Sequence, residues 1–490
     1  MPRARPSSLV VLVVFILSLL ALAPGGSLAC DDRPAGSEGI GDPYFPTAGN
    51  GGYDALHYEI ALKVDPIAGT VAGSVTVESR AVQDLDSFDL DFSGLDIEGV
   101  RVGGLSAEYR RKKQELIIEC PGRVAAGETF ATEVIYSGKP VPQTDSDALS
   151  VGWQHVGDTI YTLDEPQGAA TWFPVNDHPS DKATYLFRIT VPKPYVAAAN
   201  GVLVITEDKG ADQTFVWEMR QPLASYLATI TVGEYQVQEM IAPNGVAIRN
   251  YFAPEVAEAA EVAFARTGEM LAFYADLFGP YPFDVYGVVV PDVDTGAAME
   301  NQTLSLFGRD VLAERMSDPV IGAVYLSHEL AHQWFGNSVT ITRWKDIWLN
   351  EGFATYASWL WLEHDSGREM LDEQVRQSLG MLANEKEPPP GDPGADDLFG
   401  ASVYRRGALT LHALRLTVGD DTFFRILRAW VSRYQHGNVW TEDLIALAGE
   451  EAQNLPGTDL AGLFETWLYG DGLPALPGTI GGPASNGAAS

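Results

Sequence analysis

The chain contains the stretch His328-Glu-Leu-Ala-His332 within an apolar segment of helical length, and the pattern predicts a helix over 319–335. Residues four apart lie on the same face of a helix, so His328 and His332 can direct two imidazole rings at one metal ion. Glu329 lies beside them, where its carboxylate can reach a water molecule bound to that ion. The stretch therefore indicates a helix that carries part of a metal site.

Two histidines do not complete a catalytic zinc site, which usually has three protein ligands and one position left for water. A second motif, Asn350-Glu-Gly-Phe-Ala354, begins after His332, with eighteen residues between that histidine and Glu351. An apolar pattern over 352–364 predicts a second helix, with Glu351 at its first turn. We expect one zinc ion per chain, held by His328, His332 and Glu351.

The charge of the chain excludes one class of partner. Among 490 residues there are 66 acidic and 32 basic side chains, which gives a formal net charge of −34. A nucleic-acid-binding protein needs a basic surface for the phosphates, so we expect no nucleic-acid partner. The sequence gives no sign of an obligate protein partner. Its length is sufficient for two or three domains.

The first 29 residues have the pattern of a signal peptide. Arg3 and Arg5 precede an apolar run, Leu9–Ala23, and small residues then lead to Cys30. A cut before Cys30 would leave a cysteine that can carry a lipid anchor; ordinary secretion, with a free or paired Cys30, is the alternative. A retained membrane anchor is less favoured, because the run is shorter than the roughly 20 residues of a membrane span. We expect export to the cell envelope or the extracellular space.

Four further segments follow the signal peptide. Residues 30–52 are rich in Gly, Pro and Asp and are predicted to be a linker, while alternating apolar residues over 53–242 predict an antiparallel β domain. Helical patterns dominate 243–472, and 473–490 has the composition of a disordered tail. Within the β domain, Ser87-Phe-Asp-Leu-Asp-Phe92 alternates; we interpret its aspartates as the solvated face of a strand rather than as a calcium site.

The motifs resemble those of the gluzincin zinc aminopeptidases, the family that includes aminopeptidase N and leukotriene hydrolase. The resemblance rests on the two motifs above and on three others: Trp172–Asp181, Ala297-Ala-Met-Glu-Asn301 and Val403-Tyr-Arg-Arg-Gly-Ala408. It covers most of residues 45–472. It implies a two-domain α+β fold, in which an antiparallel β saddle precedes a mostly helical, thermolysin-like catalytic domain.

The resemblance also implies where a substrate binds. In the family, a strand that contains the Ala-Met-Glu-Asn motif pairs with the substrate backbone, and its glutamate holds the free α-amine of a peptide. The corresponding predicted residues are Ala297, Ala298, Met299, Glu300 and Asn301. Ala297 departs from the family glycine, and its methyl group affects how closely a substrate backbone can approach.

Two more roles follow from the resemblance. Glu165 is predicted to join Glu300 at the amine, with Asp164 and Gln167 as neighbouring alternatives. Tyr404 corresponds to the family tyrosine that donates a hydrogen bond to the developing oxyanion. Independently of the resemblance, the position of Glu329 beside the two histidines makes it the predicted general base for the attacking water.

The predicted reaction is hydrolysis of the first peptide bond of peptides with a free N-terminus. Two alternatives stay open at this point. One is an epoxide hydrolase of the leukotriene hydrolase type, which uses the same metal, and the other is a non-catalytic peptide-binding relative. An endopeptidase is disfavoured, because the predicted amine site would close one end of the cleft.

Overall fold

The structure is a computed structural model that describes residues 34–144, 149–384, 386–455 and 457–478. The predicted signal peptide and Cys30 lie outside these residues, as do residues 479–490 of the predicted tail. The described residues form one compact unit. A search of the described residues finds no helix with the length and apolar character that crossing a membrane requires.

The first part of the described chain is built from strands. In chain order, they are β1 Ser37–Glu38, β2 Asn50–Gly51, β3 Tyr53–Asp65, β4 Thr70–Ala81, β5 Leu85–Asp91, β6 Asp96–Val102, β7 Leu105–Ser106, β8 Tyr109–Lys112, β9 Glu115–Val124, β10 Thr129–Gly138, β11 Gln143–Thr144, β12 Ser150–Val156, β13 Thr159–Leu163, β14 Lys182–Pro192, β15 Val196–Ala199, β16 Val202–Lys209, β17 Asp212–Ala224, β18 Ile230–Gly233 and β19 Gln236–Ile241.

Three sheets organise most of these strands. Eight strands follow the order β16-β17-β14-β3-β4-β10-β6-β7, five follow β11-β12-β13-β18-β15, and three follow β5-β9-β8. The pairing is antiparallel except between β3 and β14, which run parallel. A parallel pair needs a long crossover, and here more than one hundred residues separate the two strands. The alternation of β3 buries Tyr58, Ile60, Leu62 and Val64 on one face.

Strand β5 is buried on both faces, so the solvated face predicted for its aspartates is wrong. Asp89 and Asp91 are only 8% and 1% exposed. The backbone of Asp91 pairs with that of Val175, in both directions, at 2.8 and 3.0 Å. The same loop, more than eighty residues away in sequence, donates from Asp177 N to the Asp91 carboxylate at 2.9 Å, and alternation within β5 could not reveal this contact.

Residues 34–52 form a packed segment rather than the predicted linker. Strands β1 and β2 pair with each other, and the carboxylate of Asp42, 5% exposed, accepts a hydrogen bond from Trp344 N at 2.9 Å. The same carboxylate lies 3.1 Å from Nε2 of His178. Three distant parts of the chain thus meet at Asp42. Gly and Pro in this segment serve its turns, and its composition alone did not distinguish them from a flexible linker.

Helices dominate the second part. They are α1 Ala257–Ala263, α2 Thr267–Phe278, α3 Pro319–Ala331, α4 Trp348–Ser366, α5 Arg368–Leu382, α6 Gly407–Val418, α7 Asp420–Tyr434, α8 Thr441–Glu451 and α9 Leu460–Leu468, and the short strands among them are β20 Ala247–Phe252, β21 Val285–Tyr286, β22 Val288–Val290, β23 Ser305–Leu306, β24 Thr340–Ile341 and β25 Asn438–Val439. A helical pattern over 254–277 in the sequence predicts one helix, but the structure has two there, α1 and α2, and α8 and α9 were not predicted.

A small mixed sheet connects the two parts. Its order is β19-β20-β22-β23, and β19 pairs antiparallel with β20 across the predicted boundary at 242/243. β22 pairs parallel with both β20 and β23. At the free edge of β23, Met299 and Leu306 exchange two backbone hydrogen bonds of 2.9 and 2.8 Å. The segment 297–301 therefore lies along this sheet edge, although only Met299 pairs with it.

Candidate active site

Helix α3 brings the two histidines to one point. Its start is fixed by Asp318, whose carboxylate accepts hydrogen bonds from Val320 N and Ile321 N at 2.9 and 3.0 Å, with Pro319 as the first helical residue. His328 lies in the last turn, and His332 follows the last helical residue with helical backbone angles. The four-residue spacing is therefore kept to the end of the helix.

Helix α4 packs against α3 and supplies the third side chain from its first turn. Nε2 of His328 and Nε2 of His332 lie 3.0 Å apart, and they lie 3.3 and 3.4 Å from one carboxylate oxygen of Glu351. Tetrahedral ligands at about 2.0–2.1 Å from zinc lie about 3.3 Å from one another. Two imidazole nitrogens and one carboxylate oxygen at these separations fit a zinc ion in both chemistry and spacing.

Each histidine is oriented by a partner behind it. Nδ1 of His332 donates to the carbonyl oxygen of Phe335 at 3.1 Å, which leaves Nε2 as the nitrogen that faces Glu351. Nδ1 of His328 lies 3.5 Å from the hydroxyl of Thr355. The motif residue Asn350, which could also have oriented a histidine ring, donates to the Tyr226 hydroxyl at 3.2 Å. The motifs did not identify Thr355 or the Phe335 carbonyl.

The charge of this site is unbalanced without a cation. Burial disfavours a charged imidazole, but Glu300 and Glu351 outweigh it and raise the pKa of His332 to about 10. Burial alone would raise the pKa of Glu351, but the two histidines lower it to about 2. Positive charge at this point therefore stabilises the buried carboxylates of Glu300 and Glu351. A divalent cation supplies that charge while leaving both histidines neutral.

Two further glutamates converge beside Glu351. Oxygens of Glu165, Glu300 and Glu351 all lie within 4.8 Å of one another. Glu300 is 4% exposed, and one oxygen each of Glu165 and Glu300 has no hydrogen-bond partner in the protein. Burial, and then the charges of the other cleft glutamates, raise the pKa of Glu165 well above its ordinary value. Unpartnered buried oxygens of this kind suit a cationic group that arrives with a ligand.

The segment that carries Glu300 is held from behind by two amides. Gln333 and Asn337 each donate to the carbonyl oxygen of Glu300, at 3.0 and 2.7 Å. Both follow His332 within five residues, so they tie the candidate metal site to the candidate amine site. Sequence reasoning missed this role, because nothing in the spacing shows which carbonyl a downstream amide will reach.

The predicted substrate residues divide into two groups. Glu165, Ala297, Ala298 and Glu300 line the cleft together with the two histidines, Glu329 and Glu351. Met299 and Asn301 do not line it: Met299 packs in the core, and Asn301 is fully buried. Residues 298–301 alternate between the two sides of an extended segment, so Ala298 and Glu300 face the cleft while Met299 and Asn301 are buried behind it.

Tyr404 lines the same cleft as these glutamates. It belongs to a π-helical turn, Ser402–Arg406, that precedes α6, and its ring stacks on His328 with centroids 6.0 Å apart. Burial and then the charge of Glu351 raise its pKa well above the ordinary value, so the hydroxyl keeps its proton. Arg406 anchors the turn by donating to the carbonyl oxygens of Trp467 and Gly470, both at 2.7 Å.

The cleft that contains these groups has a volume of about 640 Å³. Its walls come from the segment before β23, from α3, α4 and α5, and from the turn before α6. A space of this size accommodates a short peptide or a drug-sized molecule.

Sequence comparisons agree with this architecture. The profile of the Peptidase M1 N-terminal domain matches residues 54–227, and the profile of the Peptidase family M1 domain matches residues 262–467. Aminopeptidase M1-A of Oryza sativa subsp. japonica is 31% identical over 64% of this chain and 37% of that protein. Probable M1 family aminopeptidase 1 of Encephalitozoon cuniculi is 27% identical over 86% of this chain and 51% of that protein. The chain thus spans about half or less of the length of these curated relatives.

Solved structures match over nearly their whole length. A crystal structure of an M1 zinc metallopeptidase from Deinococcus radiodurans has a TM-score of 0.82 and 32% identity, and covers 91% of this chain and 100% of that one. A mutant of the Deinococcus radiodurans metallopeptidase bound to a Tyr-Ser-Ala substrate gives the same score and identity over 90% and 99%. The predicted family and the two-domain α+β fold are confirmed. With 32% identity across nearly all of these structures, this chain belongs to the M1 family of zinc metallopeptidases.

Proposed function

We propose that this chain is a zinc-dependent aminopeptidase that removes one residue at a time from the free N-terminus of peptides. The observation that carries the proposal is the position of Glu165 and Glu300 beside the three-donor site, where an ammonium group meets two carboxylates. A charged amine buried at the end of a cleft needs such partners. Held there, it leaves only the first peptide bond within reach of the reacting groups.

His328, His332 and Glu351 would hold the zinc ion. When bound, zinc polarises a carbonyl oxygen and lowers the pKa of a water molecule to about 7. The protein keeps both rings in place through Thr355 and the Phe335 carbonyl. Such outer partners fix which ring nitrogen is free to bind a metal.

Glu329 acts as the proton carrier of the reaction. It is 6% exposed and lies in the group formed with Glu300 and His332, whose donor atoms are all within 4.8 Å. Burial raises the pKa of Glu329 well above its ordinary value; His332 opposes this shift, and Glu300 and Glu351 add to it. Glu329 takes a proton from the attacking water and delivers it to the nitrogen of the leaving peptide.

Tyr404 stabilises the negative charge that develops on the carbonyl oxygen. Its hydroxyl is protonated, for the reasons given above, and its ring is fixed by stacking on His328. A donor fixed in this way costs no reorganisation when the charge appears. The hydroxyl therefore stabilises the transition state more than the bound peptide.

The proposal includes export, which rests on the N-terminal sequence. The basic residues, the apolar run and the small residues before Cys30 support cleavage before that cysteine, followed by lipid attachment. Membrane fractionation of wild type and Cys30→Ala tests this part. We expect the wild type in the membrane fraction and the variant in the soluble fraction. A wild type found in the soluble exported fraction would instead support ordinary secretion.

One experiment tests the activity. Zinc-loaded protein is assayed with an aminoacyl chromogenic substrate, a free-amine peptide and the same peptide N-acetylated, before and after chelation. We expect hydrolysis of the first two only, loss with chelator and recovery with zinc. Glu300→Ala should retain zinc and lower kcat/KM on free-amine substrates about 10²-fold, because the ammonium loses a buried partner. Cleavage of the acetylated peptide, or internal cuts, would indicate an endopeptidase.

A further inference from the structure

Most arginine side chains among the described residues have a partner that binds the guanidinium group. Nearly every arginine there forms an ion pair with a carboxylate or donates a hydrogen bond to a carbonyl oxygen, and the exceptions are Arg110, Arg315 and Arg405. Arg110 is exposed on strand β8, whereas Arg315 and Arg405 both line the cleft. Two uncommitted guanidinium groups therefore face the same cleft in a protein of net charge −34.

Arg405 is the better placed of the two. It is half-buried, whereas Arg315 is exposed and follows the acidic residue Glu314 in the same turn. The backbone on either side of Arg405 is fixed, because the Tyr404 ring stacks on His328 and the Arg406 side chain is anchored on carbonyl oxygens. A guanidinium presented from such a turn is already positioned for a ligand.

Arg405 comes from a different part of the chain than the amine-site glutamates: it belongs to the turn before α6, whereas Glu165 follows β13 and Glu300 precedes β23. Among the described residues neither glutamate forms an ion pair or a hydrogen bond with Arg405, and Glu300 instead lies 3.8 Å from Nδ1 of His332. A peptide whose ammonium is held by those glutamates extends past the metal donors into the rest of the cleft. The residues that depart after hydrolysis are therefore the ones left to reach a cleft side chain outside the amine site, such as Arg405.

We propose that Arg405 binds a carboxylate on the departing side of the peptide, so that this enzyme prefers short peptides with an acidic group close after the first peptide bond. The inference rests on the proposed aminopeptidase function. The carboxylate comes either from an acidic side chain or from the C-terminus of a short peptide. In both cases the planar fork of arginine matches two carboxylate oxygens, which a neutral amide cannot replace.

Two peptide pairs test the preference and identify its source. One pair is Ala-Glu-Ala-amide and Ala-Gln-Ala-amide, and the other is Ala-Ala-Ala with a free or an amidated C-terminus. The ratio of kcat/KM, charged over neutral, is measured for the zinc-loaded wild type, for Arg405→Gln and for the control Arg110→Gln. We expect a wild-type ratio of about two to five in at least one pair, the size typical of a partly exposed ion pair.

The variants decide the assignment. Arg405→Gln should bring that ratio close to one, while Arg110→Gln should leave it at the wild-type value. A wild-type ratio of one in both pairs overturns the inference, and so does a ratio that survives in Arg405→Gln. Hydrolysis of the neutral peptides reports separately on the proposed function. If the wild type cleaves none of the four peptides, the aminopeptidase proposal fails and this inference fails with it.

Discussion

Two buried groups of carboxylates in this molecule have opposite surroundings. In the cleft, Glu351 lies between two histidines, with Glu165 and Glu300 beside it. In the β-rich part, Asp91 and Glu115 lie directly opposite each other on β5 and β9. Both groups contain carboxylates that are only a few per cent exposed, and by burial alone they look alike. The difference lies in what surrounds the oxygens.

In the β-rich group, amide donors surround Asp91, whereas neither oxygen of Glu115 has a hydrogen-bond partner among the described residues. Asp91 accepts hydrogen bonds from the backbone of Asp177 at 2.9 Å and from the side chains of Asn50 and Gln114 at 3.2 and 3.3 Å. Within the described residues, no three of its carboxylate oxygens come within 4.8 Å of one another, whereas three such groups of donors lie in the cleft. Burial, then Asp177 and Glu115, raise the pKa of Asp91 well above its ordinary value, which indicates a neutral acid.

The comparison shows that burial of acidic groups does not identify a catalytic site. A catalytic site is identified by a mixture of histidine and carboxylate donors, by the convergence of these donors on one point and by access from solvent. Of the two groups, only the one in the cleft has all three features. Substitutions in the two groups should therefore have different effects on zinc binding and activity, and the largest effect is expected where a donor to the metal is removed.

His332→Ala should abolish both zinc binding and activity, because two remaining donors hold zinc far less tightly than three. Metal analysis and the aminoacyl assay measure the two effects on the same preparation. Glu115→Gln is the matched control, since it neutralises a buried carboxylate outside the cleft. It should retain one zinc per chain and wild-type turnover. Zinc retained at the wild-type level in His332→Ala would remove His332 from the metal site.

Glu329→Gln should keep zinc and lose about 10²–10⁴-fold in kcat, which is the usual contribution of a general base. The amide has nearly the same shape, but it cannot accept a proton. Substrate binding should change little, and this is measured with a non-hydrolysed peptide analogue. A folded, zinc-loaded variant with near-normal kcat would assign the proton transfer to another group.

Tyr404→Phe should lower kcat by about 10²–10³-fold with a much smaller change in KM, because the hydroxyl acts on charge that exists only in the transition state. The ring remains, so its stacking on His328 and the zinc content should persist. Steady-state kinetics separate the two constants. A large rise in KM with normal kcat would mean that Tyr404 binds the ground state instead.

Some parts of this site were accessible from sequence because they are local. The spacing of His328 and His332 fixes their common helix face, and the motif around Glu351 adds the third donor. The supporting contacts were not accessible, because Gln333, Asn337 and Thr355 act on groups whose position depends on tertiary packing. The same holds for the fold: features set by nearby residues could be predicted from the sequence, and features set by tertiary packing could not.

In the fold, the alternating strands and the main helices were predicted from their periodicity. The burial of Asp89 and Asp91 and the packing of residues 34–52 were not predicted. In each case the cover comes from a distant segment. Helices α8 and α9 were also missed, each only a few turns long and close to the end of the chain. Their packing against α7 and α6 stabilises them, and periodicity alone does not report that packing.

The smallest expected effect concerns the stability of the β-rich group. Burial, and after it the charges of Asp89 and Glu38, raise the pKa of Glu115 to about 7, above its value in the unfolded chain. Between about pH 4.5 and 7 the folded protein therefore binds more protons than the unfolded one, so stability falls as pH rises through this window. Above pH 7 the full cost remains, and Glu115→Gln should remove it, raising the free energy of unfolding by about 1–3 kcal/mol.

Denaturant unfolding at pH 5 and pH 8, at constant zinc, measures the difference. We expect Glu115→Gln to raise the free energy of unfolding at pH 8 only, and the exposed control Glu108→Gln to leave it unchanged at both pH values. A variant that is less stable at pH 8 would mean that the Glu115 carboxylate is charged and bound there. If calcium then stabilised the wild type but not the variant, this group would be a cation site and the contrast with the cleft would fail.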